Sequence, residues 1–195
     1  LAEFYADHEE DYRTVEVRHS LILTEDMDEE EKAEAYEAVQ ELALRAQAQA
    51  DALRKRLLAA IEQDTQAVLQ VSAAYAMPKQ TPEEKQARSS AIEQGLKACT
   101  QPPLAVMQLC AEGLELLESL LGKTNATAAS DFGVACLSLR AGMQGAWLNV
   151  CINTGSLHDA AFAAGARAAG QKLLDTGLPR ADRCYAAMLA VCSEG

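Results

Sequence analysis

Residues 29–76 read EEEKAEAYEAVQELALRAQAQADALRKRLLAAIEQDTQAVLQVSAAYA, a stretch without proline or glycine. Alanine, glutamate, glutamine, lysine and arginine dominate it, and all of them favour the helix. The stretch therefore predicts one long helix from Glu29 to Ala76. Met77-Pro78-Lys79-Gln80-Thr81-Pro82 ends it. Thr81 is placed to cap a second helix, with Pro82 at the first position and Glu84 completing a capping box. That helix is expected to run to about Thr100.

Working outward, Pro102-Pro103 marks a break, and a further helix is expected to about Leu121. Residues 122–130 form a polar connection before a helix from Asp131 to about Ile152, closed by Asn153-Thr154-Gly155-Ser156. A helix to Asp175, a turn at Thr176-Gly177-Leu178-Pro179 and a final helix complete the chain. The expectation is an all-α, single-domain helical bundle of five or six helices with short connections. Upstream, Val15 to Leu23 (VEVRHSLIL) alternates with β-branched residues and runs into the acidic Glu25 to Glu31. Residues 1–30 are set apart as a divergent N-terminal arm, with the helical domain over 31–195.

The chain has 195 residues, one ordinary domain's length, and 49% apolar residues give it material for a core. Asp and Glu number 29 against 17 Lys and Arg, a net charge of -12 that repels nucleic acid and anionic membranes. No apolar run approaches the ~18 residues of a membrane span. Leu1 to Glu10 is acidic, so no secretory signal is expected. The six cysteines form no Cys-x-x-Cys pair, and His8, His19 and His158 are the only histidines. No metal is expected, and the thiols are read as reduced, in a cytoplasmic protein.

Leu57, Ile61, Asp64, Val68 and Val71 recur at spacings of four and three, the pattern of a core-facing stripe. A carboxyl buried in such a stripe loses hydration, which favours its neutral form and suits acid–base work. The simpler alternative has Asp64 facing solvent or meeting an arginine. Asp131, after Ser130, reads as a helix cap before it reads as a catalyst. Asn149 and Asn153 share a helix face, and their carboxamides suit a flat heterocycle or simply end the helix. Asp131 and Asn149 lie about 27 Å apart along one helix, too far for one compact site. Gly133, Gly142, Gly145 and Ala146 permit close helix approach, within the subunit or between subunits. No phosphate-binding glycine loop, nucleophile elbow or zinc pattern is present.

Three segments together resemble a known family. They are Ala73 to Lys85 (AAYAMPKQTPEEK), Lys123-Thr124-Asn125 leading to Ser130-Asp131, and Leu148 to Asn153 (LNVCIN). In order and spacing, from about Tyr36 to Asp175, they resemble the cyclodeaminase/cyclohydrolase family of folate enzymes. The resemblance implies an all-helical homodimer acting on one-carbon units carried by a tetrahydrofolate substrate, with no tightly bound cofactor. Asp64 falls where the family places its catalytic aspartate. Lys79, Asn125, Asp131, Asn149 and Asn153 match motif positions that shape the folate pocket, and Lys79 offers a cation to the folate's acidic tail. Leu1-Ala2-Glu3-Phe4 resembles the family's opening, but the Pro-Gly-Gly-Gly-Ser type loop that normally follows has no counterpart here.

The implied reaction is cyclisation of 5-formimino-tetrahydrofolate to 5,10-methenyl-tetrahydrofolate with release of ammonia. Hydrolysis of the methenyl bridge to 10-formyl-tetrahydrofolate is the alternative, and a non-catalytic helical folate-binding dimer is a third.

Overall fold

The computed structural model describes residues 28–193, so nearly all of the arm set apart above lies outside the described residues. Four α-helices cover the described chain: α1 (Glu29–Ala76), α2 (Pro82–Leu120), α3 (Ala129–Gly155) and α4 (Ala160–Ser193). A single 3-10 turn, Ala126–Ala128, precedes α3. The described residues contain no strand.

The ends of the first helices follow from local chemistry. The Asp28 carboxylate accepts the amides of Glu30 and Glu31, while Glu31 accepts the Asp28 amide. Thr81 and Glu84 form the expected reciprocal box, with Glu84 N–H donating to Thr81 Oγ1 at 3.2 Å and Thr81 N–H to the Glu84 carboxylate at 3.1 Å. Arg167 closes α3 by donating to Thr154 Oγ1 at 2.9 Å and to the Cys151 carbonyl at 3.1 Å. A cation there also suits the negative end of the helix.

The expected breaks at Pro102-Pro103 and at Thr176–Pro179 do not break the chain into further helices. Both lie inside continuous helices, which makes four rather than five or six. Proline's fixed φ is compatible with a helix, and its penalty is a missing N–H and local crowding. Burial offsets that penalty in α2, where Pro102 and Pro103 are both buried. The fully buried Thr100 returns its hydroxyl to the Leu96 carbonyl at 2.8 Å. Gly177 serves packing rather than a turn, because a Cβ there would lie 2.6 Å from Met143 Cε.

Helix α1 lies antiparallel along α2, and α2, α3 and α4 pack against one another. Ala60, Ala67 and Ala74 are the buried residues of α1, one every seven positions. The two helices come close where Gly95 meets Val71, since a Cβ on Gly95 would sit 2.9 Å from Val71 Cα. Arg56 clasps Glu112 farther along with two guanidinium nitrogens. The main core gathers Met107, Leu114, Met143 and Val150, and a second cluster joins Phe132, Cys136, Cys184 and Met188. All six thiols are free, and burial pushes Cys110 and Cys136 up to about 11, so neither is a ready nucleophile.

Candidate functional site

Asp64 is exposed, which corrects the expectation of a half-buried carboxyl. Part of the stripe that suggested burial lies off the α1–α2 seam: Ile61 and Val68 are 64% and 47% exposed, whereas Val71 meets Gly95 and the buried positions of α1 are alanines. The register set by Arg56–Glu112 and Val71–Gly95 puts Asp64 level with Pro102-Pro103. Burial raises the Cys99 thiol, and the negative charge of Asp64 raises it further.

Asn153 reaches the same place from α3. Its Nδ2 donates to the Cys99 carbonyl at 2.8 Å. An uninterrupted helix would serve that carbonyl with the amide of residue 103, and proline has none. Asn149, one turn away, is exposed, and its carboxamide donates back to the Gly145 carbonyl at 3.3 Å. The two asparagines thus share a helix side in sequence but divide between the bundle and its surface.

A cleft of about 340 Å³ opens where the α1–α2 turn meets the α3–α4 junction, lined by Lys79, Lys85, Arg88, Ser89, Glu93 and His158 among others. Arg88 donates to the Tyr75 carbonyl at 3.1 Å and lies over the Tyr75 ring at 5.6 Å, tying the end of α1 to α2. Glu93 accepts the amides of His158 and Asp159 at 3.0 and 2.9 Å, which hold its carboxyl below the usual range. Lys97, 2.6 Å from Asp159, together with the Phe162 amide, does the same for Asp159. Two carboxylates therefore satisfy the start of α4, and the positive charges of the cleft stand beside them.

Asn125 and Asp131 sit at the opposite end of the bundle. Asn125 Oδ1 accepts the Thr127 amide at 3.0 Å and caps the 3-10 turn. Asp131 is exposed in the first turn of α3 and makes no side-chain cap, contrary to the capping expectation. From Asp131 to Asn153 is about 33 Å along the helix. Within one chain, Asp64, Lys79, Asn149 and Asn153 lie toward one end, and Asn125 and Asp131 toward the other. Lys85, Arg88, Glu93 and His158 were not singled out from sequence as site residues. The adjacent pair His158-Asp159 offers only a weak hint of a proton relay in the sequence, and exposure is the simpler reading; His158 is exposed.

Two apolar stripes are uncovered. One runs along α1 through Leu58, Ile61, Val68, Leu69 and Tyr75, and the other along α3 through Val134, Leu137, Leu148 and Ile152. Gly133 and Gly142 approach Tyr185 and Cys110 within the chain, whereas a Cβ on Gly145 would meet nothing within 4 Å. No helix among the described residues is long and apolar enough to cross a membrane. No group of three His, Cys, Asp or Glu side chains among them is arranged to hold a metal ion.

Comparison with known proteins matches residues 28–172 to the formiminotransferase-cyclodeaminase family model. A methenyltetrahydrofolate cyclohydrolase of Methylorubrum extorquens is 43% identical over 113 residues, 58% of this chain and 54% of that protein. A formimidoyltransferase-cyclodeaminase of Sus scrofa is 34% identical over 112 residues, 57% of this chain and 21% of that protein. The chain thus aligns with about half of the bacterial relative and about a fifth of the animal one. In fold it is similar to the crystal structure of formiminotetrahydrofolate cyclodeaminase from Thermotoga maritima, with a TM-score of 0.56, 21% identity and coverage of 92% of this chain and 78% of that one. The family match over residues 28–172, most of the chain's length, places this chain in the formiminotransferase-cyclodeaminase family.

Proposed function

We propose that the chain hydrolyses 5,10-methenyl-tetrahydrofolate to 10-formyl-tetrahydrofolate. The observation that carries the reading is an open carboxylate, Asp64, on the half of α1 that leads to the basic cleft at the α1–α2 turn. The methenyl bridge is cationic, and the other end of a folate carries carboxylates. Asp64 attracts the cation, and Lys79, Lys85 and Arg88 attract the carboxylates. About 18 Å of helix separates Asp64 from the end of α1, so the molecule would lie extended.

Water adds to the bridge carbon, and Asp64 takes the proton that the water gives up. The bond from that carbon to the folate nitrogen at position 5 then breaks as that nitrogen takes the proton back, and the remaining hydroxyl becomes the formyl carbonyl by releasing its own proton to solvent. One carboxylate serves both transfers. Folate is the substrate, and the step as written uses no bound cofactor. The similarity to a cyclohydrolase, at higher identity than to the animal cyclodeaminase, supports placing hydrolysis ahead of the cyclisation expected from sequence. Cyclisation of 5-formimino-tetrahydrofolate is the second reading, favoured by the family match and passing through the same tetrahedral carbon. Free thiols and a folate substrate fit a cytoplasmic setting.

The working unit in this reading is a homodimer. The uncovered stripes on α1 and α3 each span about 26 Å, so a second copy brings a surface of matching length. Asp64 lies between Ile61 and Val68 on α1, and a second copy seated there would shield it from bulk water.

Ultraviolet absorbance tests the reaction, because the methenyl form has a chromophore that the formimino and formyl forms lack. Accelerated loss of that band from 5,10-methenyl-tetrahydrofolate supports hydrolysis. Its appearance from 5-formimino-tetrahydrofolate, with ammonia, supports cyclisation. No change in either sample leaves the non-catalytic folate-binding dimer.

A further inference from the structure

Pro103 leaves the Cys99 carbonyl without its helical donor, and Asn153 on α3 supplies one at 2.8 Å. The remaining Asn153 acceptor, Oδ1, has no protein partner among the described residues. The register of the α1–α2 hairpin sets this repair level with Asp64, which stands exposed on α1. A proline inside a helix loosens the turn behind it, and here that turn lies level with Asp64 on the neighbouring helix α1. A cross-helix hydrogen bond to a half-buried carbonyl resists such loosening more than an exposed one would, because an unpaired acceptor there is costly.

Resting on the folate reading above, we propose that Asn153 is a positioning residue. It locks the proline-broken turn of α2 through the Cys99 carbonyl and thereby holds α2 and Asp64 in working register. Its amide nitrogen is spent on the protein backbone rather than on substrate. The pairing of Asn153 with Pro103 is then a compensation: each residue makes sense because the other is present. Pro103→Ala would restore a backbone N–H to Cys99 and make the asparagine dispensable.

The test is a double-mutant cycle with Asn153→Leu, Pro103→Ala and the double variant, each measured for melting temperature, kcat and KM. Asn153→Leu should melt lower and lose about tenfold in kcat with little change in KM. Pro103→Ala alone should be close to the parent, and the double variant should regain both melting temperature and kcat. If the double variant stays as impaired as Asn153→Leu, the asparagine acts directly on substrate or elsewhere, and the proposal is overturned. Recovery of melting without recovery of kcat also overturns it, leaving a purely structural bond.

A parent chain that turns over neither folate rejects the reaction, not the link. The carbon-13 signal of the Asp64 carboxyl then decides: it should shift in Asn153→Leu and return in the double variant. An unmoved signal removes the positioning role.

Discussion

Gly170 on α4 faces the Trp147 ring of α3 so closely that a Cβ would lie 2.5 Å from Cζ3 and 2.7 Å from Cε3. A planar ring wedged between helices α3 and α4 cannot yield as an unbranched chain does, because its ring atoms move together. Gly170→Ala is therefore expected to destabilise the fold by about 1–3 kcal/mol, despite alanine's better helix propensity. Gly177→Ala meets only the flexible end of Met143 and should cost less. Thermal melts of the two variants check the order, and a higher melting temperature for Gly170→Ala would refute the packing argument.

Glu93 bridges α2 to the first amides of α4, and those amides favour its charged form. A carboxyl held below its ordinary value contributes stability that is fully present above the unfolded value of about 4.3 and is lost as pH falls through the lower folded value. Glu93→Gln should thus melt lower than the parent at pH 7. The gap between them should narrow once pH drops below about 4. Parallel melting curves from pH 7 to pH 3, with a constant gap, would show that the charge does not matter.

Asp64→Asn removes the proton carrier but keeps the size and the exposed position. Turnover should fall by about 10² or more, while binding of the folate changes little. Retained turnover would reject the mechanism proposed for either reaction. The opposite pattern, lost binding with normal turnover at saturation, would reassign Asp64 to recognition of the cationic bridge.

Leu148 and Ile152 are 69% and 71% exposed on the outer face of α3. Replacing both with aspartate should leave the melting of a single chain nearly unchanged but abolish dimers in sedimentation analysis. Gly145→Leu adds bulk on the same open side and should weaken assembly in the same way. Gly142→Leu instead strikes Cys110 Sγ, which a Cβ already approaches at 3.2 Å, and should impair folding itself. A double aspartate variant that remains dimeric would move the interface to another face.

The local features were legible because their causes are local. Glu29–Ala76 contains only residues that tolerate a helix, and the Thr81–Glu84 box lies within one turn. The proline pair misled the count of helices because proline's penalty is local, whereas the burial that offsets it comes from neighbouring helices. Gly177 misled for the same reason: its close partner, Met143, is on another helix.

The candidate site divides along the same line. Which residue types carry acid–base or cationic chemistry was visible at Asp64 and Lys79, and the shared motifs pointed to them in order. Burial of Asp64 could not be read from a spacing of three and four, because neighbouring faces of one helix share that spacing and only the partner selects between them. Glu93 and His158 are separated by dozens of residues, and nothing near either one announces the contact.

By itself the sequence determined that the described residues are all-helical, their first two helix starts and the family, since propensity, capping and motif order act over short stretches. Only the tertiary structure decided that the prolines stay inside helices, that Asp64 stands open, and that Asn153 serves the carbonyl Pro103 abandons. Those outcomes depend on which distant groups come into contact, and burial and hydrogen-bond satisfaction are settled between helices rather than within them.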